Sequence, residues 1–174
     1  YPMGIDIYAT WRDQTSAESD AQATGFSAVH GHVGYLREAY HGGPYVTMYF
    51  VAEAFDSPDG EATIQASVLR DRLPAAVLMH LYREHKLYGD GKDPATVTDV
   101  AALTAAITAA AGATRDVSHT EFVEALKPES IATATQLIEG GILPESARAF
   151  VEFTKLCERK ERELGEPCRI VASY

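Results

Sequence analysis

Apolar and polar positions alternate from Ile5 to Trp11, with Ile5, Ile7, Ala9 and Trp11 on one side and Asp6, Tyr8 and Thr10 on the other. A period of two predicts a strand with one buried face. Thr15 to Thr24 is polar and Ala-containing, and Glu18 stands three residues after Thr15, the spacing of a capping box that opens a short helix ended by Gly25. Leu36 to Tyr40 suggests a turn or two of helix, and His41-Gly42-Gly43-Pro44 forces a turn. Tyr45 to Ala52 is β-branched, aromatic and continuously apolar, which predicts a second, central strand. Ser57-Pro58-Asp59-Gly60 is a further turn.

Downstream the period becomes helical. Pro74 suits the first turn of a helix carrying Val77, Leu78, Leu81, His85 and Tyr88, closed by Gly89. Asp90 to Pro94 reads as a linker without the alternating acids of a calcium loop. From Ala95 to Gly141 the chain turns rich in Ala and Thr and predicts three short helices. The first carries Val100, Leu103, Ile107 and Ala110. The second opens on the capping box Ser118-His119-Thr120-Glu121, and the third opens at Pro128. Pro144 opens a last helix through Phe150, Thr154, Cys157 and Leu164, with Glu158 and Arg162 paired on its outer face and Gly165 as its cap. Arg169 to Tyr174 predicts a closing strand beside Ile5–Trp11 or Tyr45–Ala52. The expected architecture is one α+β domain over residues 3–174, a small, mainly antiparallel sheet with helices on one face, with 95–141 as a short-helix insertion.

Composition narrows the function. With 174 residues and 46% hydrophobic content the chain is long enough to bury a substantial core. A formal net charge of -10 argues against a nucleic-acid polymer or an anionic membrane surface as partner. A small anionic ligand held by a few local donors is compatible with that charge. Cys157 and Cys168 fit a reduced cytoplasmic protein and make no metal-binding spacing. No apolar run reaches transmembrane length.

Chemistry-bearing residues concentrate between Gly25 and Ala52. This stretch holds His30, His32 and His41, the tyrosines Tyr35, Tyr40, Tyr45 and Tyr49, five glycines, and only Arg37 and Glu38 as formal charges. Arg grips phosphate bidentately, and Tyr and His stack on a base or donate to ribose and phosphate oxygens. Trp11 with Arg12 adds an aromatic platform beside a cation. The candidate ligand-binding set is therefore His30, His32, Tyr35, Arg37, Tyr40, His41, Tyr45 and Trp11. The competing reading makes the tyrosines and Trp11 core residues and Arg37 one half of an internal ion pair.

His30-Gly31-His32 places two imidazoles on one side of an extended segment, and His41, Glu53 or Asp56 could complete a metal site. No third ligand stands in tight register, so no cofactor is expected. His80, His85 and His119 read as structural, and Ser27, Ser67 and Ser118 lack the setting of a nucleophile.

The opening Met3-Gly4-Ile5-Asp6-Ile7-Tyr8, the central His30-Gly31-His32-Val33-Gly34-Tyr35-Leu36-Arg37-Glu38-Ala39-Tyr40-His41-Gly42 and the ending Ile170 to Tyr174 resemble small uncharacterised proteins of bacteria and their phages. The resemblance transfers no functional residue. Its setting implies a phage protein that sequesters a host signalling nucleotide in an anti-defence role. The expectation is a cytoplasmic, homo-oligomeric binder of a nucleotide-derived anion. The alternatives are a hydrolase or phosphodiesterase using His30, His32 and His41 as metal ligands or as acid and base, and an interaction protein working through residues 95–141.

Overall fold

The computed structural model describes residues 4–24, 35–39, 43–88 and 118–174. The alternating opening segment forms β1 (Gly4–Thr10), and α1 (Ser16–Thr24) follows. The capping box closes in both directions: Glu18 N donates to the Thr15 hydroxyl at 3.1 Å, and Thr15 N donates to the Glu18 carboxylate at 3.0 Å. Next come β2 (Tyr35–Ala39), α2 (Val46–Phe50), α3 (Ala52–Asp56) and β3 (Glu61–Thr63). The remaining elements are α4 (Ala66–Tyr88), α5 (His119–Ala125), α6 (Pro128–Gly140), α7 (Glu145–Leu164) and β4 (Arg169–Ser173).

The four strands form one antiparallel sheet in the order β2-β1-β4-β3. The closing strand pairs beside the opening one, as the pattern predicts, with Ile7 opposite Ala172. Ile5, Ile7, Ala9, Leu36, Ile170 and Ala172 are buried on one face and join a single core with the helices. The other face carries Asp6, Tyr8, Arg37, Arg169 and Val171. Where β2 ends opposite Tyr8, the buried Gln22 of α1 takes over from a strand. Its carboxamide accepts from Ala9 N at 3.0 Å and donates to Ala9 O at 2.7 Å.

Helices α4 and α7 run antiparallel, tied by the Arg70–Glu158 ion pair and by Ala66 N donating to the Glu161 carboxylate at 3.2 Å. Between them and the sheet, Phe50 meets Phe150 and Phe153 edge-on, with centroids 5.5 and 6.1 Å apart. Phe122 of α5 and Ala134 and Leu137 of α6 join the same core. Ser118 caps α5 by accepting from Glu121 N, and Gly141 and Gly165 end α6 and α7 in left-handed conformation.

Three local expectations are corrected. Leu36 to Ala39 is strand, not helix, because its pairing with β1 satisfies the backbone and its alternation sends Leu36 inward and Arg37 outward. Tyr45 to Ala52 is not a strand despite its β-favouring residues. It coils into α2, breaks at Val51 (φ -126°, ψ 47°) and resumes as α3. Glu38 takes the first amides of α2, and Val46, Thr47 and Phe50 are buried, so tertiary burial overrides propensity. Pro74 lies inside α4, which starts earlier, at Ala66, because Leu69 and Leu73 extend the apolar face and Glu161 caps the earlier amide. The turn at Ser57–Gly60 leads into the unanticipated strand β3. There Gly60 has φ +73°, and a Cβ would stand 2.9 Å from the Ala172 carbonyl, so the position requires glycine. The predicted helix through Val100 to Ala110 lies outside the described residues.

Candidate functional site

Strand parity drives a carboxylate into the interior. With Leu36 inward and Arg37 outward, Glu38 must point inward, where its side chain keeps 5% of its surface exposed. An ionised carboxylate in that position must be paired and fully hydrogen-bonded. Glu38 meets both conditions. It accepts from Val46 N at 2.7 Å, Thr47 N at 3.1 Å and the Thr47 hydroxyl at 2.7 Å, and Arg83 Nη1 donates to it at 2.6 Å. The Arg83 guanidinium in turn lies over the ring of Tyr45, 5.2 Å from its centroid. One carboxylate thus joins the end of β2, the start of α2 and the C-terminal part of α4.

One turn before Arg83 on α4 is His80, so the two share a helix face. His80 Nε2 lies 2.9 Å from the Ser146 hydroxyl at the start of α7, and its ring packs on Phe150 with centroids 5.5 Å apart. Desolvation first, and the positive charge of Arg83 second, push the imidazole down to about 4. A histidine so depressed stays neutral at neutral pH.

This shift carries a pH dependence. Between the ordinary value of 6.5 and about 4, the unfolded chain binds a proton at position 80 that the folded chain does not. The contribution is complete above 6.5 and is lost as pH falls towards 4. His80 retains some contact with solvent, which reduces its size. Urea midpoints should therefore fall between pH 7 and pH 4.5, and His80→Gln should fall less over the same interval. Parallel curves for the two proteins would contradict this.

Of the candidates nominated from sequence, Arg37, Tyr45 and Trp11, whose side chains are described, do not converge on one point. Arg37 lies on the outer sheet face and contacts Asp6, its neighbour on β1, at 3.6 Å, an ion contact longer than a hydrogen bond. Tyr35 occupies the register position opposite Tyr8. Tyr45 belongs to the Glu38–Arg83 cluster on the inner side. Trp11 is half-buried and already carries a cation, the Lys160 ammonium 5.0 Å from its ring centroid. Lys160 also bonds Glu18 at 2.9 Å and Glu163 at 3.1 Å. The Thr15 amide, followed by Lys160, holds the Glu18 carboxyl down at about 2. Arg12 turns away to the Leu164 carbonyl and Glu166. His30, His32, Tyr40 and His41 lie outside the described residues.

Glu53, considered above as a metal ligand, instead forms a bidentate pair with Arg72 at 2.7 and 3.0 Å. That guanidinium lowers its carboxyl below the usual range. Among the described residues, no group of three or more His, Cys, Asp or Glu is placed to hold a metal ion. No described helix is long and apolar enough to cross a membrane.

Sequence reasoning missed Arg83, His80 and Ser146 as members of one cluster. The spacing of His80 and Arg83 places them on one helix face, but nothing local connects either to Glu38 or Ser146, 45 and 66 residues away. No family model matches this chain, and no curated protein or solved structure shows significant similarity to it.

Proposed function

We propose that the protein binds a small anionic, nucleotide-derived ligand on the outer face of its sheet, with Arg37 as the phosphate contact and Tyr35 as a stacking partner. One observation carries the reading: β-register sets Arg37 on the face opposite the helix-covered core, the face that also carries Tyr8 of the adjacent strand, with Tyr35 at the register position opposite Tyr8. A cation beside aromatic residues on a strand surface suits a phosphate joined to a planar base. His30, His32, Tyr40 and His41 remain the proposed donors and stacking groups from the neighbouring sequence. Sequestration of a host signalling nucleotide by a phage is the biological setting we propose for this activity.

Thermal unfolding with a panel of mono-, di- and cyclic nucleotides tests the reading. A true ligand at about 100 times its Kd should raise Tm by roughly 5–10 °C. Arg37→Ala, at an exposed position, should fold normally and lose the shift. An undiminished shift in Arg37→Ala would remove Arg37 from the site, and a flat response to the whole panel would remove the nucleotide assignment.

A further inference from the structure

A nucleophile within hydrogen-bonding reach of a neutral base is the arrangement that activates serine for covalent catalysis. Among the described residues, Ser146 and His80 make such a pair, from two helices, at 2.9 Å. We propose that Ser146 is a nucleophile served by His80 in the hydrolysis of small activated esters, an activity separate from ligand binding on the sheet.

The ordinary explanation for a serine at the start of a helix is capping, in which its oxygen accepts a backbone amide. That does not apply here. The cap position of α7 is Pro144, and Ser146 stands inside the helix with its hydroxyl against the imidazole. The two partners also differ in the way the chemistry requires: Ser146 is exposed, whereas His80 is partly sunk between α4 and α7. Phe150 packs on the imidazole ring and limits its rotation. Among the groups facing the ring from these two helices are Ser146 and Phe150 on α7 and Arg83 on α4. The desolvated setting, and after it the Arg83 charge, keep the imidazole unprotonated at neutral pH, able to accept the hydroxyl proton.

Atoms and charges balance along the path. Ser146 Oγ bonds to the acyl carbon, its proton passes to His80 Nε2, and the C–O bond to the leaving group breaks. The leaving group departs as the alcohol with that proton. Water then attacks the acyl-serine, gives a proton to His80 and releases the acid, and the imidazole returns the proton to Ser146. A weakly basic imidazole supports this only when the leaving oxygen is acidic, so aryl esters are the expected substrate class.

Treating the intact protein with an alkyl fluorophosphonate tests the assignment. The expected product is a single adduct, formed with loss of fluoride and mapped by peptide mass spectrometry to Ser146. Labelling should vanish in Ser146→Ala and slow by about 100-fold in His80→Gln, with hydrolysis of an aryl acetate falling in parallel. Circular dichroism checks that each variant is folded. No adduct at Ser146 in the wild-type protein overturns the proposal without reference to any variant. Undiminished labelling in folded His80→Gln overturns the role of His80.

Discussion

Glu38→Ala should cost about 3–5 kcal/mol of folding stability, because it removes one half of the buried ion pair with Arg83. The substitution also deprives Val46 N, Thr47 N and the Thr47 hydroxyl of their acceptor at the first turn of α2. Chemical denaturation should report the loss as a lower midpoint with a similar slope. The double variant Glu38→Leu/Arg83→Met separates two explanations. If the charge pair acts mainly by compensating its own desolvation, an apolar pair of similar volume should recover much of the loss. If Glu38 acts mainly as the cap of α2, the double variant should remain as unstable as Glu38→Ala. A Glu38→Ala protein as stable as the wild type would contradict both.

Phe50→Ala should be destabilising by about 3–5 kcal/mol, the range for removing a fully buried aromatic ring. Phe50 is completely buried, and its ring is the edge-on partner of both Phe150 and Phe153. These three rings join α2 to α7, so collapse around the cavity requires movement between helices rather than a change of rotamer. For a chain of this length the loss corresponds to a fall in Tm of roughly 6–20 °C. Phe50→Leu should recover most of it. A Phe50→Ala protein melting within about 2 °C of the wild type would mean that the site collapses freely.

How far the fold was legible from sequence depended on whether the deciding interaction was local. The alternation of Ile5, Ile7 and Ala9, the boxes at Thr15 and Ser118, and the glycine caps at Gly141 and Gly165 all act within a few residues, and each element appears as read. The exchange of helix and strand around β2 and α2 had a non-local cause. β2 exists because β1 pairs with it, and α2 because its apolar residues enter the core while Glu38 takes its first amides. Had Leu36-Arg37-Glu38 been read with a period of two, strand parity alone would have placed a carboxylate inside and required a buried cation. Nothing in the sequence names that cation as Arg83, and nothing brings Ser146 to His80, because the antiparallel packing of α4 on α7 decides both the distance and the register.

The position of β4 between β1 and β3 has a consequence for how the chain becomes structured during synthesis. Ile7 pairs with Ala172 across nearly the whole length of the sequence. Until residues 169–173 have left the ribosome, β1 has only β2 as a partner among the described strands, and the three residues of β3 have none among them. The helices can gather local contacts as they emerge, but the sheet must close a loop of most of the chain at once, a slow, entropically costly step. Residues 169–173 therefore decide when this edge is covered: before they pair, β1 exposes the edge that β4 later occupies, and with it a hazard of pairing with a neighbouring molecule.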